Sequence, residues 1–138
     1  MSEETEAGLT PISFVVTDTV VRVAPTASVS EVAGVLTDAS VGLVVVGEAD
    51  DIVGVVSERD IVTTIAEGRD PSSVTAIDIA HTDLAWCDVT ATVAEVAEEM
   101  MERYVRHVLV EEGGRLVGIV SARDLLGVYA AAEGLADV

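Results

Sequence analysis

The heptapeptide GVVSERD at residues 54–60 returns 64 residues later as GIVSARD at residues 118–124. Sliding the chain by the same 64 residues aligns 27–62 with 91–126 without a gap, and 15 of the 36 aligned pairs are identical. The chain is therefore an internal duplication, and the duplication governs the fold assignment. Two units of roughly 60 residues are too few for a solenoid, so we expect them to pack face to face about a pseudo-twofold axis as one module.

Each copy opens with the pattern of an amphipathic helix. Apolar residues recur at the spacing i, i+3, i+4, i+7 that places them on one helical face. They are Val29, Val32, Ala33 and Leu36 in the first copy, and Val93, Val96, Ala97 and Met100 in the second. A capping box precedes each helix, so that a hydroxyl residue and the glutamate three positions later satisfy each other's backbone N–H groups. The two boxes are Ser28-x-x-Glu31 and Thr92-x-x-Glu95.

Two short, valine-rich runs follow each predicted helix. They are LVVV at 43–46 and IVGVV at 52–56 in the first copy, and HVLV at 107–110 and LVGIV at 116–120 in the second. Such runs, apolar at nearly every position, are typical of strands buried on both faces. A short strand at about 20–23 or 84–87 and a second helix from Asp60 or Asp124 onward complete a β-α-β-β-α unit. We therefore predict a mixed α/β fold of the α+β type, built from two such units.

The repeat and its flanking composition divide the chain into four parts. The Gly, Pro and Ser residues of GRDPSSVTA, at residues 68–76, indicate a connection between the copies. We predict a flexible acidic tail, a first repeat, a linker and a second repeat, at residues 1–10, 11–68, 69–76 and 77–134.

The composition is that of a folded domain with a small-residue core. Half of the residues are hydrophobic, and the few aromatic residues are Phe14, Trp86, Tyr104 and Tyr129, so small aliphatic side chains must fill the core. No apolar run approaches the ~20 residues of a membrane helix, so we expect no membrane partner. The N-terminal stretch MSEETEAGLT lacks the basic and apolar regions of a signal peptide. Since a single cysteine, Cys87, excludes an internal disulfide, we expect a cytoplasmic protein.

The charge of the chain is strongly acidic. There are 25 Asp and Glu residues against seven basic residues, all of them Arg, for a net charge of −18. One interpretation is simply a solvated acidic surface. We favour adaptation to a salt-rich cytoplasm, because at ~1 M salt the Debye length falls to about 3 Å and self-repulsion is screened. No basic stripe is present to hold nucleic-acid phosphates, so we expect no nucleic-acid partner.

The repeated heptapeptide admits two interpretations. A Gly near the end of a strand lets a backbone or a ligand come close, and a Ser followed three residues later by an Asp can cap a helix. The same helix N-terminus can hold an anion, and the Asp can accept hydrogen bonds from a ribose diol. Arg59 and Arg123 favour the second interpretation, because a cation in the first helical turn opposes the helix dipole. A phosphate or a subunit contact would explain these arginines.

The sequence resembles the cystathionine β-synthase (CBS) domain family, in the tandem arrangement called a Bateman module. The resemblance covers roughly residues 11–132 and rests on the β-α-β-β-α order, on the doubled G-h-h-S-x-x-D element and on VRHVLVEEGGRLVGIVSARDLL at 105–126. It implies two clefts between the repeats in which family members often bind AMP, ADP, ATP or S-adenosylmethionine. In such clefts the Asp binds ribose hydroxyls and the Ser lies near the phosphates. The matching residues are Ser57 with Asp60 and Ser121 with Asp124.

The resemblance also implies that the two clefts differ. Family members often place basic residues at the start of the strand contributed by the partner repeat, and these positions are Arg106 and His107 here. The matching first-repeat positions are Gly42 and Leu43, which carry no charge. The cleft of Asp60 is therefore expected to take a phosphate, and the cleft of Asp124 to be empty or to take an uncharged or cationic group. Thr26 and Thr90 are ligand-contact candidates in the same family, although a turn role suits both equally.

The expected function is that of a non-catalytic homodimer that senses an adenosine-containing ligand and regulates an enzyme or a transporter on another chain. The alternative is a ligand-free CBS module for dimerisation or partner docking. An enzyme is not expected, since only His81 and His107 are available as a base for Ser57 or Ser121 and no triad pattern supports either. His81 and Cys87 are too scattered for a metal site, and no cofactor is expected beyond the regulatory ligand.

Overall fold

The computed structural model describes residues 6–16, 20–48 and 51–132. The chain separates into two compact units, one formed by residues 20–84 and the other by residues 1–19 together with 85–138. Each unit holds one three-stranded sheet and its helices. The units are described below as the first unit (20–84) and the second unit (1–19 with 85–138).

The first unit has the predicted element order. It comprises β1 (Arg22–Val23), α1 (Val29–Ala39), β2 (Leu43–Glu48), β3 (Asp51–Ser57), α2 (Glu58–Ala66) and a short α3 (Ala76–Ile79). The sheet order is β1-β2-β3, with β1 parallel to β2 and β2 antiparallel to β3. The central strand β2 is buried from Leu43 through Gly47, as its unbroken apolar run predicts.

The second unit repeats this arrangement. It comprises a 3₁₀ helix (Ile12–Phe14), β4 (Trp86–Asp88), α4 (Val93–Arg103), β5 (His107–Glu112), β6 (Arg115–Ser121) and α5 (Ala122–Ala132). Its sheet order is β4-β5-β6, again with one parallel and one antiparallel pair. The prediction of a mixed α/β fold built from two β-α-β-β-α units is confirmed.

Capping fixes where the first helix of each unit begins. The Oγ of Ser28 accepts from the Glu31 N–H at 3.1 Å, and the Thr92 hydroxyl accepts from the Glu95 N–H at 3.3 Å. Each glutamate carboxylate accepts in return from the capping residue's own N–H, so both predicted capping boxes are confirmed. The second helix of each unit begins two residues before the predicted Asp60 and Asp124, because the Ser directly ahead of it is the N-cap.

Valine fills the core of both units, as the scarcity of aromatic residues predicts. The fully buried large side chains are Ile12, Val29, Val32, Val44, Val45, Val46, Val56, Val93, Val96, Val108, Val110 and Val120. The aromatic rings lie mostly at the surface, where Phe14 and Tyr104 are strongly exposed. Small branched side chains suit pleated strands packed under a helix, because each has few rotamers to lose on burial.

The segment that precedes each repeat in the sequence packs into the unit formed by the other repeat. Residues 69–84, which include the expected linker, belong to the first unit, where Val74 and Ala76 are buried. The Ala76 N–H donates to the Ala27 carbonyl at 2.7 Å. In the second unit the Ile12 N–H donates to the Ala91 carbonyl, also at 2.7 Å. These bonds are related by the same 64-residue offset, so the duplication extends beyond the stretch in which identities reveal it.

The expected acidic tail is described only from Glu6 onward. Residues 6–10 form turns, Ala7 is buried, and the carbonyls of Gly8 and Thr10 accept from the first N–H groups of α4. These residues therefore cap a helix of the second unit, and residues 1–5 lie outside the described part of the chain. Across that described part, every helix is too short or too polar to cross a bilayer.

Candidate functional site

The first Ser-x-x-Asp element (Ser57–Asp60) is a reciprocal helix cap at the junction of β3 and α2. The Asp60 Oδ2 accepts from the Ser57 N–H at 2.7 Å and from the Ser57 hydroxyl at 2.9 Å. The Asp60 N–H donates to the Ser57 Oγ at 3.3 Å. Capping is therefore the confirmed local role of this element, and it uses one of the two carboxylate oxygens.

The second Ser-x-x-Asp element (Ser121–Asp124) has the same local geometry. The Ser121 N–H donates to the Asp124 Oδ2 at 2.9 Å, and the Asp124 N–H donates to the Ser121 Oγ at 3.1 Å. The two elements are thus equivalent as helix caps. Any functional difference between them must come from the residues that surround each carboxylate.

The remaining oxygen of Asp60 is held by His81. The distance from His81 Nε2 to Asp60 Oδ1 is 2.7 Å. The His81 side chain is 65% exposed, whereas that of Asp60 is only 16% exposed. This contact was missed by the sequence analysis, which considered His81 only as a base or a metal ligand. No local signal could have found it, since 21 residues separate the two partners.

The missing side chain of Gly54 leaves room for the His81 backbone beside β3. His81 pairs with Val55 of β3, the His81 N–H donating to the Val55 carbonyl at 2.9 Å and the Val55 N–H to the His81 carbonyl at 3.0 Å. A Cβ on Gly54 would lie 2.8 Å from the His81 carbonyl oxygen and 2.9 Å from the Ala80 Cβ. The expected close approach at this glycine is therefore made by the His81 carbonyl and the Ala80 side chain. At Gly118 the neighbour is the side chain of Val16.

A small pocket of about 170 Å³ surrounds the Asp60–His81 pair. It is bounded by α2 and by the 69–81 segment, through Asp60, Thr63, Thr64, Glu67, Arg69, Asp78, Ile79 and His81. Hydrogen bonds from Thr75 lower the pKa of Asp78, and the charge of Arg69 lowers it further. The pocket therefore contains carboxylates with one arginine and one imidazole, all from the first unit.

A second depression, of about 350 Å³, lies in the second unit. Its lining residues are Trp86, Cys87, Asp88, Thr90, Ala91, Glu95, Val96 and Glu99. Burial first, and then the charges of the nearby carboxylates, raise the pKa of the Cys87 thiol to about 11, so this thiol is not a reactive nucleophile at neutral pH. The Thr90 hydroxyl and N–H donate to Asp88 Oδ2 at 2.6 and 2.9 Å and lower the pKa of Asp88. Thr90 thus has the turn role that its sequence also allowed.

The other predicted site residues lie at the ends of elements. Thr26 is exposed in the loop before α1, and Arg59 and Arg123 are exposed in the first turns of α2 and α5. The Arg106 carbonyl accepts from the N–H of Ala122 at 2.8 Å.

His107 is the first residue of β5, directly opposite Ser121 in the ladder. Arg106 and His107 are thus beside the second Ser-x-x-Asp element of their own unit, just as Leu43 pairs with Ser57 in the first unit. Their predicted contact with a ligand at Asp60 stays a prediction.

Within residues 6–16, 20–48 and 51–132, no group of three or more His, Cys, Asp or Glu side chains is arranged to hold a metal ion. His81 and Asp60 form a pair without a third ligand in this part of the chain. The chemistry that the site offers is therefore hydrogen bonding by a carboxylate and an imidazole.

Two β-α-β-β-α units, each with a strand that has a Gly at its middle and leads into a Ser-x-x-Asp cap, define the class of paired CBS domains. The CBS domain family model matches residues 12–67 and 76–131, and the chain belongs to this family.

Three relatives illustrate the match. The chain is 35% identical to a CBS domain protein from Pyrobaculum aerophilum complexed with AMP, with a TM-score of 0.78 over 93% of this chain and 99% of that one. An uncharacterized conserved protein from Pyrococcus horikoshii is 30% identical, with a TM-score of 0.80 over 88% and 93%. Hypoxic response protein 1 of Mycobacterium tuberculosis is 39% identical over 70 residues, 50% of this chain and 49% of that protein. The match thus spans about half the length of this curated relative.

Proposed function

We propose that this chain is a non-catalytic regulatory module that binds an adenosine-containing ligand, namely AMP, ADP, ATP or S-adenosylmethionine. The observation that carries the proposal is the match, over nearly its full length, to a CBS domain protein complexed with AMP. The first Ser-x-x-Asp element is the proposed principal site. Its Asp60 carboxylate accepts hydrogen bonds from the ribose diol through Oδ1, the oxygen that the helix cap leaves unused.

The charge distribution supports unequal binding at the two elements. Arg106 and His107 are the proposed phosphate contacts for a ligand held by Asp60, in a chain with only seven basic residues. Their counterparts by the 64-residue offset, Gly42 and Leu43, offer no charge to a ligand held by Asp124. Because hydrogen bonds to phosphate are charge-assisted, the first element should bind a nucleotide more tightly than the second.

The order of contacts around Asp60 argues against hydrolytic catalysis. A triad requires the imidazole to accept the nucleophile's proton while the carboxylate orients the imidazole. Here the Ser57 hydroxyl donates to the carboxylate itself, and His81 contacts the other carboxylate oxygen. Asp60 therefore lies between Ser57 and His81, and His81 is not in place to take the hydroxyl proton.

The test is calorimetry with AMP, ADP, ATP, GMP and S-adenosylmethionine in molar KCl. Asp60→Ala should weaken binding roughly 10- to 100-fold, since a hydrogen bond to a charged group contributes about 1.5–3 kcal/mol. Asp124→Ala is the matched control, because it removes the equivalent helix cap and should leave the first affinity nearly unchanged. Arg106→Ala should weaken AMP and ATP binding and spare adenosine. Loss of binding in Asp124→Ala with a silent Asp60→Ala would reverse the assignment of the two elements.

A ligand-free dimerisation or docking module is the second candidate, favoured by exposed apolar side chains on the second helix of each unit. Val62 and Ile65 of α2 and Leu126 of α5 are 64%, 58% and 68% exposed. Leu125 of α5 is buried in its own unit's core, and Tyr129 is partly buried against that core. Their spacing of four residues places them on one face of α5 and leaves Leu126 on another.

We further propose that the module is a homodimer in a salt-rich cytoplasm. The net charge of −18 is the support for salt adaptation, and the exposed helix residues are the support for the dimer. Light scattering in high salt should give about twice the chain mass, and Leu126→Glu should shift it toward the monomer because it places a charge in an apolar contact. A wild-type monomer at micromolar concentration would refute the dimer and leave ligand binding untouched.

A further inference from the structure

We infer that His81 is a built-in competitor for the ligand at Asp60, so that ligand affinity falls when the imidazole becomes protonated. The inference rests on the proposed function, since it concerns the same carboxylate that binds the ribose diol. It adds a pH-sensitive step to that binding and confines it to the first Ser-x-x-Asp element.

Both oxygens of the Asp60 carboxylate have hydrogen-bond partners within the first unit. Its Oδ2 accepts two hydrogen bonds from Ser57, and its Oδ1 is 2.7 Å from His81 Nε2. A ribose hydroxyl is also a donor, so it must share Oδ1 with His81 or displace it. The hydrogen bonds with Ser57 cap the N-terminus of α2, whereas the hydrogen bond with His81 caps no helix. His81 is therefore the partner that a ligand replaces.

The His81 imidazole can leave Asp60 without unfolding its own segment. The backbone of His81 is fixed on β3 by its two hydrogen bonds with Val55. The side chain is 65% exposed, so it can rotate into solvent while those bonds stay intact. Displacement then costs the Asp60 contact and little else. That cost depends on whether the imidazole carries a charge, because an ion pair is stronger than a neutral hydrogen bond.

The pocket around His81 is mainly acidic. From α2 the ionised neighbours in the pocket are Asp60 and Glu67, and from the 69–81 segment they are Arg69 and Asp78. The contact from β3 is Val55, which is uncharged. A protonated imidazole pairs with the Asp60 carboxylate as an ion pair, which is stronger than a neutral hydrogen bond. Acidification in the range where imidazole gains its proton therefore strengthens the His81–Asp60 contact against the ligand.

The duplication supplies an internal comparison. The 64-residue offset that relates the two Asp residues pairs position 81 with position 17, which is Thr17 and lies outside the described residues. The second element thus has the same Ser and Asp but no histidine at the matching position of the sequence. His81→Thr consequently gives the first copy the residue type of the second, and it is the natural variant for the test.

The test is calorimetric titration of the full chain with AMP in molar KCl across about pH 5.5 to 8.5, the range in which imidazole changes charge. Wild type, His81→Thr and His81→Gln are compared as ratios of affinity at each pH, because a ratio cancels the ionisation of the AMP phosphate and of His107. The glutamine keeps an N–H donor near the position of Nε2 and cannot become charged. The matched ligand control is 2′,3′-dideoxyadenosine monophosphate, which lacks the diol.

At the acidic end, wild type should bind AMP on the order of two- to fivefold more weakly than His81→Thr, the factor that an exposed ion pair provides. The ratio of the two affinities should shrink toward the alkaline end, where only a neutral hydrogen bond remains, because that bond is weaker than a charge-assisted one. The ratio of His81→Gln to His81→Thr should not change with pH. The dideoxy ligand should show no effect of His81, because it does not donate to Oδ1.

Two results would overturn the inference while AMP binding, and with it the proposed function, stands. One is a wild-type to His81→Thr ratio that is flat across the pH range. The other is tighter wild-type binding at acidic pH, which would make His81 a phosphate-binding cation. If none of the three proteins binds any adenosine ligand, the proposed function fails and the inference fails with it.

Discussion

Gly54→Ala tests whether the 79–81 segment packs on β3 as described. The added Cβ would meet the His81 carbonyl oxygen at 2.8 Å and the Ala80 Cβ at 2.9 Å, closer than real Cβ atoms approach other heavy atoms. Relief requires the segment to move, and the two hydrogen bonds between Val55 and His81 to weaken. Each such bond contributes about 0.5–1.5 kcal/mol net, and overpacking typically costs about 1–3 kcal/mol.

Part of this loss is offset, because alanine restricts the unfolded chain and gains roughly 0.4–1 kcal/mol at a compatible site. The net expectation for Gly54→Ala is a loss of about 1–3 kcal/mol in the free energy of unfolding, or roughly 4–12 °C in Tm for a chain of this size. The matched control is Gly34→Ala in α1, where an added Cβ meets no atom within 4 Å. That variant should gain about 0.5–1 kcal/mol from helix propensity.

The measurement is urea and thermal unfolding followed by circular dichroism in molar KCl. A Gly54→Ala protein as stable as wild type, alongside a stabilised Gly34→Ala protein, would refute the packing of residues 80 and 81 on β3. It would also remove the geometry that brings His81 to Asp60. A loss in both variants would instead indicate that alanine at either glycine disturbs the fold for a reason other than the contact.

Three further expectations follow from charge and capping. The melting temperature should rise from dilute buffer to molar KCl, because salt screens the repulsion among 18 net negative charges, and a flat or falling curve would contradict salt adaptation. Alkylation of Cys87 by iodoacetamide should be slow at pH 8 and accelerate only as the pH approaches its raised pKa of about 11, so rapid labelling at pH 8 would contradict its buried environment. Hydrogen bonds lower the pKa of Asp70, Asp78 and Asp88, so these carboxylates stabilise the fold above about pH 4 and lose that contribution as the pH falls through their lowered pKa values. The free energy of unfolding of Asp78→Asn should therefore depend less on pH in this acidic range than that of wild type.

The elements that the sequence predicts well are those whose signal is local. The apolar spacing of α1 and α4 and the capping boxes at Ser28 and Thr92 lie within a few residues of the structure that they specify. The unbroken apolar run of β2 likewise predicts a strand buried on both faces. In each case neighbouring side chains determine the conformation, so no distant part of the chain has to be known.

The contacts that the sequence does not predict join segments far apart in the chain. The 69–76 segment reads as a linker because GRDPSSVTA at 68–76 contains Gly, Pro and Ser, yet Ala76 is fully buried in the first unit. His81 reads as an isolated histidine, and its contact with Asp60 depends on a bridge to Val55 and on the space above Gly54. Residues 11–16 and 75–80 share no identities across the offset, so the repeat pattern stops before them.

The assignment of residues 6–16 to the second unit has a consequence for biosynthesis. The first unit is continuous, so it can fold co-translationally once residues 20–84 have left the ribosome. The second unit is built from two separated stretches of the chain. The N–H of Ile12 cannot donate to the Ala91 carbonyl until Ala91, 79 residues later in the chain, has been synthesised. Closing so long a loop delays this unit, and its apolar N-terminal residues remain uncovered in the nascent chain until then. An N-terminal deletion through residue 16 should therefore spare the unit that is synthesised next and disable the one that is synthesised last.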